Sequence, residues 1–278
     1  MINQFEMTLR DTLSNIRDSQ VKEAMEYTML SGGKRLRPML LLSMVEDLGE
    51  DFSKGLYPAV ALEMIHNYSL VHDDLPAMDD DDYRRHRLTA HKVYGEGMAV
   101  LSGDALLTMA FDVVLKANIR PEQALACVEI LARNAGVEGM IYGQELDIDN
   151  KMKTIDELLE SYRYKTGKLF AAAFEMASIV SGHERYQKDA KKLGELLGIY
   201  FQIQDDLLEH TRSFEEIGKK ADSDEKEGKV TVVTLLGLSE SQELLKRYHS
   251  KLEEQLQIFP FQSTQVRNLI DEISDRTY

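Results

Sequence analysis

Two apolar helical runs in this chain each end in a pair of adjacent aspartates, and this feature limits the folds open to it more than any other. The first pair opens HDDLPAMDDDDYRR, from His72 to Arg85, and the second lies in QDDLLE, from Gln204 to Glu209. Ahead of the first, Tyr57, Val60, Ala61, Met64, Ile65, Tyr68 and Val71 recur at helical spacing, and Pro58 suits a first helical position. Ahead of the second, Leu193, Leu196, Leu197, Tyr200, Ile203 and Leu207 mark one face of a helix over about residues 191–208. Two such helix ends are expected to face each other.

Helical patterns also span roughly 98–117, 121–134, 138–147 and 168–181, and no alternating run is long enough to require a sheet. Only five Pro and 17 Gly interrupt a sequence rich in good helix formers. The expectation is an all-α fold, a bundle of about ten or more helices. No Pro-, Gly- or Ser-rich stretch divides it, so residues 1–278 read as a single domain, with a charged loop over Asp222–Glu227.

Adjacent carboxylates repel, and a surface group of them either raises pKa values or binds cations. Hard oxygen donors without Cys favour Mg²⁺ over zinc. Asp205 and Glu209, four residues apart, share a helical face, and Asp206 lies beside them; Asp73, with Asp74 beside it, and Asp79 are six apart and diverge on a continuous helix. Pro76 breaks that helix by disfavouring helical geometry at Leu75, so Asp79 is expected to fold back toward Asp73. An EF-hand loop is disfavoured because Met78 occupies the position of the turn Gly. A stripe of Gly194, Gly198, Gln202 and Asp206 at four-residue intervals either borders a tunnel or marks close helix packing.

Basic residues accompany the acids. In SGGKRLRP, Ser31–Pro38, a Gly pair precedes Lys34, Arg35 and Arg37 where a helix begins, an arrangement that either holds a phosphate or simply caps the helix with solvated charges. Arg84 and Arg85 follow the first acidic run, Lys165 and Lys168 flank Thr166 and Gly167, and Lys219 and Lys229 follow the second motif. Acid for metals and base for phosphate oxygens together describe a metal-bridged diphosphate site.

Other function classes recede. A net charge of −15 and a pI near 5.0 oppose general nucleic-acid binding. The single Cys127 forms no internal disulfide, and the polar opening lacks the pattern of a secretion signal, so a cytoplasmic setting is expected. The apolar run Pro38–Val45 is too short to cross a bilayer, so no membrane span is expected.

In order, SGGKRLRP, EMIHNYSLVHDDLPAMDDDDYRR, LSGDALL, YGQELDID, YKTGKL and YFQIQDDLL resemble the motifs of the trans-polyprenyl diphosphate synthase family from about Leu30 to Leu236, most closely its bacterial farnesyl-forming branch. The resemblance implies that Asp73 and Asp79 bind two Mg²⁺ ions and Asp205 a third, with Asp74, Asp206 and Glu209 completing the motifs. It implies that Arg84, Lys165 and Lys219 contact an allylic diphosphate, while Lys34, Arg37, His66 and Arg85 form the isopentenyl diphosphate site. Lys229 is a further diphosphate-binding candidate. Thr166, Gln202 and the Lys165 carbonyl would face the allylic cation, and a homodimer is implied.

Tyr68 lies five residues before Asp73, roughly 7.5 Å along a helix. With the inserted Pro76 and Ala77, its ring resembles the chain-length stop of the fifteen-carbon type. Alternatives are a geranylgeranyl diphosphate synthase, a terpene cyclase, which QDDLLE disfavours, and a non-catalytic synthase subunit. Glu209 replaces the family's usual Asp, His86 and Arg87 replace Gly and Lys, Asp222 replaces a Gly, and Val232 and Val233 replace an aromatic-Pro pair.

Overall fold

The structure, a computed structural model, describes residues 1–215 and 229–275. Its helices are α1 (Ile2–Ser14), α2 (Gln20–Met29), α3 (Leu36–Asp47), α4 (Leu56–Asp73), α5 (Ala90–Tyr94), α6 (Glu96–Val114), α7 (Pro121–Ala135), α8 (Met140–Asp149), α9 (Ile155–Tyr162), α10 (Lys168–Val180), α11 (Gln187–Glu215), α12 (Val232–Leu236), α13 (Leu238–Leu256) and α14 (Gln265–Ser274). The all-α expectation holds, with a small correction. A hairpin of two-residue strands, β1 (Tyr83–Arg84) and β2 (Arg87–Leu88), pairs Tyr83 with Leu88 and Arg84 with Arg87. Its turn puts Arg85 and His86 at φ 52° and 62°, where the expected Gly would carry no Cβ penalty. The charged loop expected over Asp222–Glu227 lies outside the described residues.

The centre of the bundle is α10, LFAAAFEMASIV after Lys168, buried at every position. A helix apolar all round must be covered all round, and α3, α7 and α11 pack against it. Its one interior carboxylate, Glu175, is satisfied by Arg133 at 2.6 Å, Asn134 at 3.1 Å and Gln187 at 3.1 Å. Gly194 and Gly198 of α11 lie against the backbones of Ala171 and Gly167, where a Cβ would overlap. Close packing therefore accounts for both glycines, while Gln202, one turn on, reaches a cavity.

Helix α4 ends at Asp73, three residues before Pro76. Beyond it the Asp79 amide donates to the Asp73 carbonyl at 2.9 Å, and the Met78 and Asp80 amides donate to Leu75 at 2.8 and 3.1 Å. The chain folds back, as the position of Pro76 requires. At the far end of α3, the buried Asp47 carboxylate accepts the Gln265 and Val266 amides at 3.0 and 2.8 Å and the Ser263 hydroxyl, docking the start of α14.

The run Pro38–Val45 is not the most apolar stretch that bears on membrane crossing. Helix α6, with 19 residues and a mean hydropathy of 1.5, has the length and composition of a crossing helix. Its Ala99, Ser102, Gly103, Leu106, Ala110, Val113 and Val114 are buried, and it packs against α2, α4 and α5.

Candidate active site

A cavity of about 1010 Å³ opens beside the end of α4. It brings together seven of the residues singled out by sequence: Arg37, His66, Tyr68, Asp73, Lys165, Thr166 and Gln202. Several elements supply them. Asp73, His66 and Tyr68 come from α4, Arg37 from α3, and Gln202 from α11.

Lys165 and Thr166 stand on a π-helical turn, Arg163–Gly167, between α9 and α10. Such turns are rare and concentrate at functional sites. Gly143 of α8 makes this one possible, because its bare Cα lies against the Tyr164 and Lys165 backbone, leaving no space for a Cβ. Lys165 Nζ forms an ion pair with Asp147 Oδ2.

Burial, against the attraction of Lys165 and with the repulsion of Asp79, pushes the Asp73 carboxyl up to about 6. The site thus carries negative charge that the protein only partly compensates. Asp73 and its neighbour Asp79 offer hard oxygen donors with no thiolate near, a set that fits a divalent cation of the Mg²⁺ type. Asp79 itself is exposed, brought near by the turn rather than lining the cavity.

The second motif lies inside α11, which runs on to Glu215 instead of ending at the aspartates as the sequence pattern suggests, and it divides its labour. Asp205 follows Gln202 by three residues on α11 and so shares its face. Asp206 is fastened elsewhere: its Oδ2 accepts the Tyr162 hydroxyl at 2.5 Å and the Val232 amide at 2.8 Å. Burial pushes Asp206 up to about 6, while those two donors and Lys229 pull the other way. Lys229 and Glu209 are exposed, and Lys219 lies outside the described residues.

Also lining the cavity, Arg37 stacks its guanidinium over the Phe170 ring at 4.7 Å and approaches His66 Nε2 at 3.4 Å. Burial lowers Arg37 to about 10. Burial, followed by repulsion from Arg37 and Arg85, holds His66 well below its usual range. A guanidinium can only donate, so neutral His66 accepts through Nε2. Arg37 Nε is buried without a partner among the described residues, a donor left for a ligand.

Lys34 is exposed on the Gly-rich turn, and Arg85 closes over it by donating to the Gly32 carbonyl. Arg35 departs from the phosphate-holding expectation. At φ 47° it points inward, pairing with Glu63 at 2.8 Å and Glu6 at 2.9 Å and donating to the Met29 carbonyl at 2.6 Å. Asp74 and Arg84 likewise face each other, Nε to Oδ1 at 2.5 Å, with Asp81 3.4 Å away, outside the cavity lining.

Asp147, Tyr162 and Gln144 are functional candidates that the sequence motifs do not single out. Gln144 lines the cavity and has a buried Nε2 without a partner among the described residues. Asp147 and Gln144 stand in the YGQELDID motif; Tyr162 carries no local signal.

The polyprenyl synthetase family profile matches residues 18–262. The farnesyl diphosphate synthase of Micrococcus luteus is 42% identical over 261 residues, covering 93% of this chain and 90% of that one. That of Geobacillus stearothermophilus is 44% identical over 233 residues, covering 82% and 78%. A Helicobacter pylori geranyltransferase, solved in complex with magnesium and isoprenyl diphosphate, superposes with a TM-score of 0.83 at 29% identity, covering 98% of this chain and 95% of that one. With the helical body, the aspartates at the end of α4 and within α11, and these likenesses in agreement, the chain belongs to the polyprenyl synthetase family.

Proposed function

We propose that this chain condenses isopentenyl diphosphate with dimethylallyl or geranyl diphosphate to give farnesyl diphosphate and diphosphate. The observation that carries the reading is that one cavity holds an acidic wall at Asp73, a polar patch at Lys165, Thr166 and Gln202, and a basic wall at Arg37 and His66. Two diphosphates fit such a site with their reactive carbons between the two walls.

Magnesium ions, three per site on this reading and held by Asp73, Asp79 and Asp205, would neutralise the departing diphosphate as Lewis acids. Lys165 donates to its oxygens and, paired with Asp147, is held in place for that role. Breaking the allylic C–O bond leaves a carbocation, which the Thr166 hydroxyl and Gln202 carbonyl face with their oxygen dipoles. Fixed dipoles aimed at developing charge commonly contribute more to such catalysis than any other single effect. Arg37 and neutral His66 hold the second diphosphate, with Lys34 and Arg85 at its outer side. The isopentenyl double bond then attacks the cation, and a proton leaves the adduct to restore a double bond.

The same reading takes residues 1–278 as one catalytic domain working in the cytoplasm as a homodimer. The apolar side chains of Val100 and Leu101 on α6 and Leu115 beyond it, 39, 47 and 56% exposed, support association with a second copy. Sedimentation of the purified chain tests this, and a monomer at micromolar concentration would end it.

The deciding experiment incubates the purified chain with labelled isopentenyl diphosphate and dimethylallyl diphosphate, with Mg²⁺ or with chelator. A chelator-sensitive fifteen-carbon product is expected. A twenty-carbon product would overturn the length assignment, and no product would overturn the activity.

A further inference from the structure

The segment that follows Asp79 carries a second group of metal-ligating side chains, none of which lines the cavity. Asp80, Asp82 and His91 each place one ligand atom within 4.8 Å of the others. The two carboxylates are exposed, whereas the imidazole is only 6% exposed. Exposed carboxylates on their own are common on protein surfaces. The histidine distinguishes this group.

His91 Nε2 is buried and has no hydrogen-bond partner among the described residues, an unfavourable state that a bound ligand would relieve. His91 Nδ1 lies 3.1 Å from Thr89 Oγ1. The Thr89 hydroxyl has one proton, directed at the Asp81 carbonyl at 2.8 Å. Toward His91 it can only accept, so Nδ1 carries the ring proton. In that tautomer Nε2 is a bare lone pair, the form in which imidazole binds metals, and Thr89 fixes the ring's orientation.

Backbone geometry places the carboxylates. Asp80 adopts φ 52°, with its amide bonded to Leu75 at 3.1 Å, and the Asp82 carbonyl accepts the Thr89 amide at 3.0 Å. Lys92 Nζ, 2.6 Å from Asp82 Oδ1, is the local cation. An exposed pair of this kind contributes little stability and yields to a divalent ion.

We propose that Asp80, Asp82 and His91 form a metal site distinct from the diphosphate cavity, binding a first-row transition ion such as Zn²⁺ with water completing the shell. One imidazole and two carboxylates suit zinc better than Mg²⁺, which prefers all-oxygen surroundings. An ion there would join the turn at Asp80 to the first turn of α5, and so brace the segment that carries Asp79.

The test titrates the full chain with Zn²⁺ in excess Mg²⁺, using a chromogenic chelator to report free Zn²⁺. The expected result is a single bound Zn²⁺ whose affinity falls at least about tenfold in His91→Gln and in Asp80→Asn/Asp82→Asn, and persists in Asp73→Asn. Asn at position 80 tolerates the left-handed backbone, so the double variant decides the matter even where His91→Gln fails to fold. Equal binding by wild type and the double variant, no binding by wild type, or loss of binding in Asp73→Asn would each overturn the proposal.

Discussion

The Tyr162 hydroxyl donates to Asp206 Oδ2 at 2.5 Å, across 44 residues of sequence. The same oxygen accepts the Val232 amide, so one carboxylate joins α9, α11 and α12. Asp206→Ala leaves both donors without a partner and is expected to cost about 2–4 kcal/mol. Asp206→Asn keeps an accepting oxygen and should recover most of that loss. Asp205→Ala, by contrast, should leave stability within about 1 kcal/mol of wild type while abolishing Mg²⁺-dependent turnover. Urea unfolding of the three variants separates anchor from ligand; equal destabilisation by Asp205→Ala and Asp206→Ala would refute the division.

Asp73 has an ordinary value of 3.8, raised to about 6 by burial and by Asp79. Because the folded value is the higher, folding favours the protonated form. The stabilising contribution is complete below pH 3.8 and is lost as pH rises through about 6. Asp73→Asn should therefore stabilise the metal-free protein by about 1–3 kcal/mol at pH 8 and by almost nothing at pH 4. The same variant should lose its Mg²⁺-dependent activity. Denaturant melts at the two pH values check the sign, and a gain independent of pH would contradict it.

Tyr68 lines the cavity, is 6% exposed and meets His72 edge-on at 5.8 Å. Removing the ring in Tyr68→Ala lengthens the space below Asp73. The major product should grow by at least one five-carbon unit, read by chromatography of the hydrolysed products. An unchanged product would make Tyr68 ordinary packing.

Gly143 lies against the backbone that carries Lys165. A methyl group there cannot be absorbed by a flexible side chain, so Gly143→Ala should displace the π turn and cost about 1–3 kcal/mol. Turnover should fall by about tenfold or more, since a small misplacement of catalytic groups has a large effect on rate. A variant with wild-type activity and melting temperature would show that the turn does not depend on this contact.

Much of the site could be read from local pattern. Apolar spacing located α4 and α11, and Pro76 between the aspartates required the fold-back now seen in the bond from Asp79 to Asp73. Both are short-range effects, governed by neighbours within a few residues. Arg35 misled because a basic residue in a Gly-rich turn gives no sign of which way its side chain points, and a left-handed φ turned it toward Glu63. Asp147 and Tyr162 escaped notice for a different reason. Their partners lie 18 and 44 residues away, and nothing in the spacing of either segment announces the other. The Asp74–Arg84 pair shows the same limit: a motif lists its acids and bases without saying which neutralise each other.

The π turn over Arg163–Gly167 takes up one more residue than an α-helical turn would, so α9 and α10 keep nearly the phase of a continuous helix across it. Deleting one residue there would close the turn to an ordinary repeat and leave Phe170 and Phe174, fully buried as they stand, in the bundle centre. The same deletion inside α10 would rotate everything downstream by about 100°. What the shorter turn would lose is the present placement of Lys165 and Thr166, so the extra residue is slack in an otherwise taut line, needed by the site and not by the helices it joins.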